Sequence, residues 1–384
     1  MWSRYSKPRI TPAPTAANSS NSRESPADGA VTDLVGFGII GANSFVANAA
    51  VLPAISASAN ASVVATASRS GNIAQRWAAT QLDDYDAVLD HPDVDAVYIP
   101  LPNGMHREWT ERAAAAGKHV LCEKPLAADP ATATAMADAC RRAEVLLAEA
   151  WMTPFDRRWA ATIELARSGA IGDFDTQDHH FTFTIGPEAS NNYRWDPKQG
   201  GGALLDVGVY CLGTAIELWG PDCEVDTVKR AMTPHGVDAT TVANLVWPGD
   251  RRAQITCSFV DDERQLASFR SADTALLLEH AAFTSGHELD HVVVRSSSRL
   301  DLPPIALDPY LPGPGLARPA VSPHGEQRRV EQFSVEVGDP YQSMIEAFAN
   351  AVLGKLEWPR PVERSIEMLG LLERIARFGD TAHA

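Results

Sequence analysis

The chain has 384 residues, of which 45% are hydrophobic and 21% charged, and this length predicts about two globular domains. Its formal net charge is −16 and its pI is about 5.1, so we expect neither nucleic acid nor a membrane surface as a partner. Five scattered cysteines without a CxxC pair argue against a disulfide framework and favour a cytoplasmic location.

The first 31 residues are rich in Ser, Asn, Ala and Pro. They cannot bury enough apolar area to offset the entropy of ordering them, and they lack the apolar core of a secretory signal. We therefore predict a disordered tail over residues 1–31. No stretch of the sequence reaches the roughly 18 consecutive apolar residues that a membrane span needs.

Short apolar runs alternate with helical segments between residues 32 and 150, a pattern typical of βαβ units and a parallel sheet. The sequence predicts strands at 34–40, 62–67, 94–99, 119–122 and 146–150. It predicts helices at 45–56, 105–116 and 130–143, and a further helical and polar segment that ends at residue 89. We therefore expect a Rossmann dinucleotide-binding domain over residues 32–150.

The pattern changes after Trp151, where longer segments alternate apolar and polar residues. A helix is predicted at 157–168, strands at 178–184, 242–247, 253–259 and 275–279, and two closing helices at 341–353 and 362–378. Pro248-Gly249-Asp250 is a hairpin turn signal, and 300–330 reads as an irregular loop. The chain is thus expected to be α/β, with an α+β domain over 151–384 that contains a mostly antiparallel sheet.

The first strand contains a literal GxGxxG at Gly36, Gly38 and Gly41. A dinucleotide fingerprint must follow a strand and open a helix, so Gly36 and Gly38 are better placed inside the strand. We place the turn at Gly41, with Asn43 in the position of the second glycine. The helix start near Asn43, Ser44 and Phe45 would then offer N–H groups to a pyrophosphate.

The end of the second strand bears on the choice of cofactor. NAD enzymes usually carry an acidic residue there, whereas an arginine accommodates the 2′-phosphate of NADP. This strand ends in Ser68-Arg69 with no acidic residue. We therefore expect NADP in preference to NAD, with Ser68 and Arg69 as ligands.

Three segments resemble the glucose-fructose oxidoreductase, inositol dehydrogenase and rhizopine-catabolism (Gfo/Idh/MocA) family. They are residues 93–106, residues 115–125, which end in Glu123-Lys124-Pro125, and residues 200–210, which run from a glycine triplet to Tyr210. The dihydrodiol and xylose dehydrogenase branch is the most similar, because it carries Tyr where many relatives carry His. The resemblance implies a large open sheet in the second domain, and a homodimer or homotetramer that packs through it.

The resemblance also implies the roles of individual residues. It assigns Lys124, Asp206 and Tyr210 to catalysis and Arg194, Trp195 and Tyr210 to the substrate. To the cofactor it assigns residues that follow the first, third and fourth strands: Gly41, Asn43, Ser44, Phe45, Pro100, Leu101, Asn103, His106, Glu123 and Lys124. His106 lies on the opening turn of a predicted helix and is equally consistent with a structural role.

The expected reaction is hydride transfer between a nicotinamide and a secondary alcohol or hemiacetal carbon of a sugar, cyclitol or dihydrodiol. Tyr210 would be the acid/base group, and a nearby Lys124 ammonium would lower its pKa from about 10. Asp206 would orient the substrate or hold Lys124. The glycine triplet would permit close approach of the backbone to a group such as a cofactor.

Two other functions remain open from the sequence. A ketoreductase of nucleotide-linked deoxysugars would need a basic cleft for the diphosphate, with Arg194 as its first candidate. A non-catalytic NADP-binding regulator would share the fold without the proton-transfer group. We expect no metal site, since His179 and His180 are adjacent and would face opposite sides of a strand.

Overall fold

The computed structural model describes residues 34–69, 80–169, 172–186, 191–279, 281–284, 291–296, 329–334 and 338–379. The predicted tail over 1–31 and almost all of the predicted loop over 300–330 lie outside these residues. The strands are β1 Val35–Ile40, β2 Ala61–Ala67, β3 Thr80–Leu82, β4 Ala96–Ile99, β5 His119–Glu123, β6 Leu147–Ala150, β7 Thr176–Thr184, β8 Glu224–Met232, β9 Asp238–Trp247, β10 Arg251–Ser258, β11 Val260–Arg270, β12 Thr274–Glu279, β13 His291–Ser296 and β14 Arg329–Ser334. The α-helices are α1 Leu52–Ala57, α2 Tyr85–Leu89, α3 His106–Ala115, α4 Pro130–Arg142, α5 Arg157–Arg167, α6 Val209–Trp219, α7 Pro340–Val352 and α8 Val362–Ala376.

The first sheet is parallel and has the order β3-β2-β1-β4-β5-β6. This confirms the predicted Rossmann arrangement. The short strand β3 was not predicted, because its three residues form no apolar run. The carboxyl ends of β1, β4 and β5 lie along one edge, which is where an open α/β sheet binds its ligand.

The glycines of β1 are required by packing within the protein. A Cβ on Gly36 would lie 2.1 Å from the carbonyl oxygen of Asp93, and one on Gly38 would lie 2.4 Å from Val88 Cγ1. Gly41 has φ +95° and occupies the turn, a conformation that glycine adopts at little cost. Helical structure then begins at Phe45, which confirms the strand–turn–helix register placed at Gly41.

The second sheet has the order β14-β13-β12-β11-β7-β10-β9-β8. Only the pair β7 and β10 is parallel among its described strands, so the prediction of a mostly antiparallel sheet is confirmed. The turn Pro248-Gly249-Asp250 joins β9 to β10, with Trp247 paired to Arg251. Strands β8, β11, β13 and β14 were not predicted. The first two are largely polar and exposed, so they show no apolar alternation.

The two closing helices return to the first sheet. The Phe348 ring of α7 lies 5.7 Å from that of Phe37 in β1, and the Asn60 side chain donates to the carbonyl oxygen of Glu346. Helix α8 packs against α4, α6 and β6. Helices α7 and α8 therefore pack against strands of both sheets, namely β2, β6 and β8.

One described helical stretch, Pro197–Trp219, is long and apolar enough to cross a membrane, but 72% of its apolar window is buried within the protein. Its carboxyl-terminal part, α6, packs on strands β7 and β10 of the second sheet and on helices α5 and α8. Its apolar character therefore serves packing. The same stretch carries Asp206 and Tyr210, which places both side chains in a rigid part of the fold.

Candidate active site

The side chain of Lys124 lies directly beyond β5. Its Nζ donates to Asp206 Oδ1 at 3.0 Å and to the Asp206 carbonyl oxygen at 2.8 Å. An ammonium has three N–H donors, so among the described residues two are used by Asp206 and the third can meet a substrate oxygen. The side chain is 13% exposed, so it is not completely buried.

Asp206 is held between two cations. Arg194 Nε donates to Asp206 Oδ2 at 2.6 Å, opposite the Lys124 contact on Oδ1. Burial alone would raise the pKa of Asp206, but Arg194 and Lys124 outweigh it and hold this pKa well below its usual range. The carboxylate thus stays ionised, and the three side chains together carry one excess positive charge.

Tyr210 lies on the same side of the helix as Asp206. The Lys124 Nζ is 4.9 Å from the centre of the Tyr210 ring, so the predicted grouping of Lys124, Asp206 and Tyr210 is present. The expectation that Lys124 lowers the Tyr210 pKa is wrong. Burial, followed by the negative charges of Glu123 and Asp206, raises this pKa well above 10, so Tyr210 is a neutral phenol that holds its proton.

Protein atoms occupy the space where side chains would project from the glycine triplet before this helix. A Cβ on Gly200 would lie 2.9 Å from Asn103 Cβ, and one on Gly201 would lie 2.5 Å from the Arg194 carbonyl oxygen. Gly202 has φ +113°, and a Cβ there would lie 2.3 Å from Asp238 Oδ1. These neighbours make the expected close approach to the backbone and fix the start of the helix.

Glu123 ends β5 in a buried position. Tyr98 of β4 donates its hydroxyl hydrogen to Glu123 Oε1 at 2.6 Å, and the backbone N–H of Lys124 donates to Oε2 at 3.2 Å. Burial raises the pKa of Glu123 to about 7, against the opposing effect of Lys124. This carboxyl group therefore changes charge close to neutral pH, beside the proposed catalytic lysine.

His106 was expected to contact the cofactor, and the structure corrects this. The side chain is fully buried. Its Nδ1 lies 3.1 Å from the Pro125 carbonyl oxygen and 3.2 Å from that of Leu126, and its Nε2 lies 2.8 Å from that of Leu101. His106 therefore ties the segment after β4 to the segment after Lys124, and offers no surface to a ligand.

The Gly41 turn sits against the ends of β2 and β4. The N–H groups of Gly41 and Ala42 both donate to the Ala67 carbonyl oxygen at 3.0 Å, and a Cβ on Gly41 would lie 2.6 Å from Leu101 Cδ2. Ser68 and Arg69 follow Ala67 directly, and Arg69 is exposed. The turn and the exposed guanidinium are thus neighbours at the same sheet edge.

The other residues predicted to bind the cofactor are distributed around this edge. Ser44 Oγ accepts from the N–H of Ala47, and the Phe45 side chain is 63% exposed at the start of the helix. Pro100 is buried, and Asn103 Nδ2 donates to the Gly200 carbonyl oxygen at 2.8 Å. Asn43 is exposed within the turn. Asn103 therefore connects the β4 loop to the glycine triplet before Asp206.

The predicted substrate residues flank Asp206 on the side of the second sheet. The guanidinium carbon of Arg194 lies 4.8 Å from the centre of the Tyr193 ring, and the Arg194 side chain is 27% exposed. Trp195 is half-buried and packs edge-on against Phe259, with ring centres 5.5 Å apart. Tyr193 and Trp195 thus place two aromatic rings next to Arg194, which is paired with Asp206.

The donor set fits a phosphorylated dinucleotide. The end of β2 offers a serine and an exposed arginine and no carboxylate, which suits a 2′-phosphate. A glycine turn that leads into a helix lies next to it, and the ammonium of Lys124 lies at the end of β5. Within the described residues, no group of three or more His, Cys, Asp or Glu side chains could hold a metal ion.

Sequence and structure comparisons place this geometry among known proteins. Residues 35–150 match the family model described as the Gfo/Idh/MocA oxidoreductase family with an NAD-binding Rossmann fold. Residues 159–273 match the model of the Gfo/Idh/MocA carboxyl-terminal domain. Together the two models cover more than half of the chain and include the segments that carry Lys124, Asp206 and Tyr210.

Individual relatives include sugar oxidoreductases. A dTDP-3,4-didehydro-2,6-dideoxy-alpha-D-glucose 3-reductase of Streptomyces violaceoruber is 42% identical over 204 residues, and the match spans 52% of this chain and 59% of that relative's length. A D-xylose 1-dehydrogenase (NADP(+)) of Haloferax volcanii is 32% identical over 244 residues, which are 62% of this chain and 74% of the relative. The crystal structure of a 3-ketoreductase from Actinomadura kijaniata with NADP and TDP-benzene is similar with a TM-score of 0.77, 28% identity, and coverage of 90% of this chain and 97% of that one.

The sequence reasoning missed buried polar residues that shape the site. Tyr98 bonds to Glu123, Asp238 accepts from the Leu204 N–H at the start of the helix, and Glu149 accepts from the Leu126 N–H. Tyr98 and Glu149 lie in short strands whose other members are apolar. A hydroxyl or charge inside a buried strand was the available signal, because such groups are costly unless they are hydrogen-bonded.

Proposed function

This chain belongs to the Gfo/Idh/MocA oxidoreductase family, and on that basis we propose that it reduces the keto group of a nucleotide-linked deoxysugar with NADPH. The observation that carries the proposal is the protonated Tyr210 beside Lys124 and the doubly paired Asp206. A neutral phenol is a general acid, which is what ketone reduction requires. The family assignment itself makes the chain an NAD(P)-dependent oxidoreductase.

The cofactor would be held along the edge already described. The Gly41 turn and the helix start at Phe45 would take the pyrophosphate, and Ser68 with Arg69 would take the 2′-phosphate of the adenosine ribose. Glu123 and Lys124 lie at the end of β5, on the nicotinamide side. When bound, the reduced nicotinamide supplies the hydride.

The protein's own contribution is to position the ketone and protonate it. The third N–H of Lys124 would orient the substrate oxygen. Tyr210 would donate its phenolic proton to that oxygen as negative charge develops on it. The positive charges of Lys124 and Arg194 would stabilise the tyrosinate that remains until a solvent proton restores the phenol.

Arg194 supports the choice of a nucleotide-linked substrate. Its Nε is committed to Asp206, which fixes the planar guanidinium, and the side chain is 27% exposed. An arginine held in this way can donate two parallel hydrogen bonds to the oxygens of one phosphate group. The 3-ketoreductase with a TM-score of 0.77 was crystallised with NADP and TDP-benzene, and this supports the same class of ligand here.

A substrate panel tests the proposal. We expect NADPH oxidation with a thymidine-diphosphate-linked 3-keto-deoxysugar, and a KM at least tenfold higher for the same keto sugar without its nucleotide. Arg194→Ala should raise the KM of the linked substrate by about 10- to 100-fold, equivalent to a lost charge-assisted hydrogen bond of about 1.5–3 kcal/mol. Arg252→Ala, an exposed arginine on the second sheet, is the matched control.

The panel also separates the alternatives. The similarity to a D-xylose 1-dehydrogenase favours free aldoses with NADP+ as the second candidate, and turnover with these sugars and none with the linked ketone would replace our proposal. Binding of the cofactor without hydride transfer from NADPH to any keto sugar, or from any sugar, cyclitol or dihydrodiol to NADP+, would instead support a regulatory protein.

We also propose that the chain forms a homodimer or homotetramer through the open face of the second sheet. Residues of β9 alternate between buried and half-buried along its whole length, and the half-buried Val242 lies opposite the half-buried Thr256 of β10. A partner subunit would cover this mixed face. Mass measurement in solution should give a dimer or tetramer, and a monomer would refute it.

A cytoplasmic location agrees with the five cysteines, all of them buried and unpaired.

A further inference from the structure

Glu149 stands in the middle of β6 among apolar residues. Its neighbours Leu147, Ala148 and Ala150 are buried, and Glu149 itself is only 4% exposed. A carboxyl group in such a position destabilises the fold unless hydrogen bonds satisfy it. Both oxygens of Glu149 are hydrogen-bonded.

Each oxygen of Glu149 accepts one hydrogen bond from a different part of the fold. Oε1 accepts from the backbone N–H of Leu126 at 2.9 Å, and Oε2 accepts from the Ser365 hydroxyl at 2.6 Å. Leu126 lies two residues after Lys124, and Ser365 lies in α8, which packs on β6. One side chain thus joins the closing helix to the segment that carries the lysine.

The same segment is held from its other side. His106 lies against the carbonyl oxygens of Pro125 and Leu126, so Leu126 is contacted at its carbonyl by α3 and at its N–H by β6. With β5 ending at Glu123, the backbone on both sides of Lys124 is fixed. The position of the Lys124 ammonium relative to Asp206 and Tyr210 depends on this fixation.

We infer that Glu149 is a positioning residue for Lys124, and that it couples helix α8 to the active site through Ser365. It touches neither substrate nor cofactor and acts through the backbone at Leu126. The inference rests on the proposed catalytic role of Lys124. Displacement of a reacting group by about 1 Å can lower turnover by about 100-fold, so loss of this bond should be visible in kcat.

Two substitutions at position 149 separate geometry from charge. In Glu149→Gln, the amide oxygen can accept from Leu126 N–H while the amide nitrogen donates to Ser365 Oγ, so both links survive. Glu149→Ala removes both. We expect kcat within about threefold of wild type for Gln and about 10- to 100-fold lower for Ala. Glu164→Gln, an exposed residue of α5, is the control for a neutralised acid.

Hydrogen exchange at Leu126, read by mass spectrometry of the peptide that contains it, reports the link without any substrate. Protection should be the same in wild type and Glu149→Gln and weaker in Glu149→Ala. The inference is overturned if Glu149→Ala keeps both protection and turnover, or if Gln and Ala lose activity equally. If Glu149→Ala does not fold, Ser365→Ala decides, with kcat lower by about 3- to 10-fold and faster exchange at Leu126 as the expected result and no change in either as the contrary one.

This design distinguishes failure of the inference from failure of the proposed function. A wild-type protein that does not reduce the linked ketone would refute the proposed function, while the exchange data would still show whether Glu149 holds Leu126. Conversely, an active wild type with unchanged exchange in Glu149→Ala would refute only the role of Glu149.

Discussion

Asp206 gives the site its charge pattern, because one carboxylate is shared by Lys124 and Arg194 at 3.0 and 2.6 Å. Removing Asp206 would leave two cations in a largely buried site, which is costly. The carboxylate thus holds together Lys124, the proposed catalytic cation, and Arg194, the proposed substrate-binding cation. Tyr210, whose ring centre lies 4.9 Å from Lys124 Nζ, keeps its proton because burial and the negative charges of Glu123 and Asp206 outweigh the opposing charge of Arg194.

The role of Tyr210 as the acid can be tested by Tyr210→Phe. The substitution keeps the ring and its packing against Phe181, whose centre lies 5.3 Å away, and removes only the proton donor. We expect kcat for ketone reduction to fall by about 10²–10⁴, while the Kd of NADPH measured by fluorescence changes little. Near-normal turnover would transfer the acid role to another group.

The pH dependence of reduction follows from the raised Tyr210 pKa. A raised pKa means that the phenol holds its proton at every pH below that value. Reduction should therefore not decline between roughly pH 8 and about 10, the range in which an ordinary tyrosine begins to ionise. Steady-state rates across this range check the prediction, provided that the protein stays folded. A fall in kcat centred between about pH 8 and about 10 would contradict it.

Arg69 is the residue that we propose to determine the preference for NADP. It is exposed directly after β2, so its substitution should not disturb the core. Arg69→Ala should weaken NADPH binding by about 10- to 100-fold, the loss expected for charge-assisted hydrogen bonds, and leave NADH binding unchanged. Binding titrations with both cofactors measure this, and an equal loss for both would show that Arg69 does not contact the 2′-phosphate.

At the level of elements, the position of the helix that carries Asp206 and Tyr210 is fixed by residues that contact its amino-terminal end. Asp238 Oδ2 accepts from the Leu204 N–H at 2.9 Å and from the Thr241 hydroxyl at 2.7 Å. This satisfies one of the free N–H groups that every helix start presents. The absence of a Cβ on Gly202 gives Asp238 the space to do so.

Gly202→Ala tests this arrangement. An alanine at φ +113° is strained by about 1–2 kcal/mol, and its Cβ would also displace Asp238, at a further cost of about 1–3 kcal/mol. Gly236→Ala is the matched control, because Gly236 also has positive φ, +88°, with no atom within 4 Å of the added carbon. Urea unfolding should show a clearly larger loss for Gly202→Ala, together with lower kcat. Equal losses would mean that only the backbone conformation matters.

The elements that sequence patterns predicted well are those with a strong apolar period. The parallel strands and the helices of the first half, the Gly41 turn and the hairpin at Gly249 were found within a few residues, since each has a local signal. Strands β8 and β11 were missed because their residues are mostly exposed and polar. Their place in the sheet depends on pairing with β9 and β7, which no local window contains.

The site was predictable only in part for the same reason. Lys124, Asp206 and Tyr210 followed from the family resemblance and come together in space. The pKa of Tyr210 could not be predicted from its neighbours in sequence, because burial and the charge of Glu123 dominate it. The burial of His106 was also hidden, since its carbonyl partners Leu101 and Leu126 belong to two separate loops.

At the scale of the whole molecule, the last helices connect the two sheets. Helix α7 packs on α1 and β2, and α8 packs on α4, α6 and β6. The nucleotide-binding sheet is therefore completed by residues more than 300 positions along the chain. A cut after residue 150 would expose the surfaces that α7 and α8 cover, so the two sheets are best regarded as parts of one folded unit.

We propose that Lys124 and Tyr210 promote the transfer of hydride from NADPH to the ketone of a nucleotide-linked deoxysugar. The most direct test uses NADPH that carries deuterium at nicotinamide C4, on one face or the other, with a thymidine-diphosphate-linked 3-keto-deoxysugar. Mass spectrometry of the product made by wild type and by Lys124→Ala is the measurement. We expect deuterium in the reduced sugar from one face only, formed about 10²–10⁴ times more slowly by the variant. A product without deuterium from either face, or an equal rate in Lys124→Ala, would contradict it.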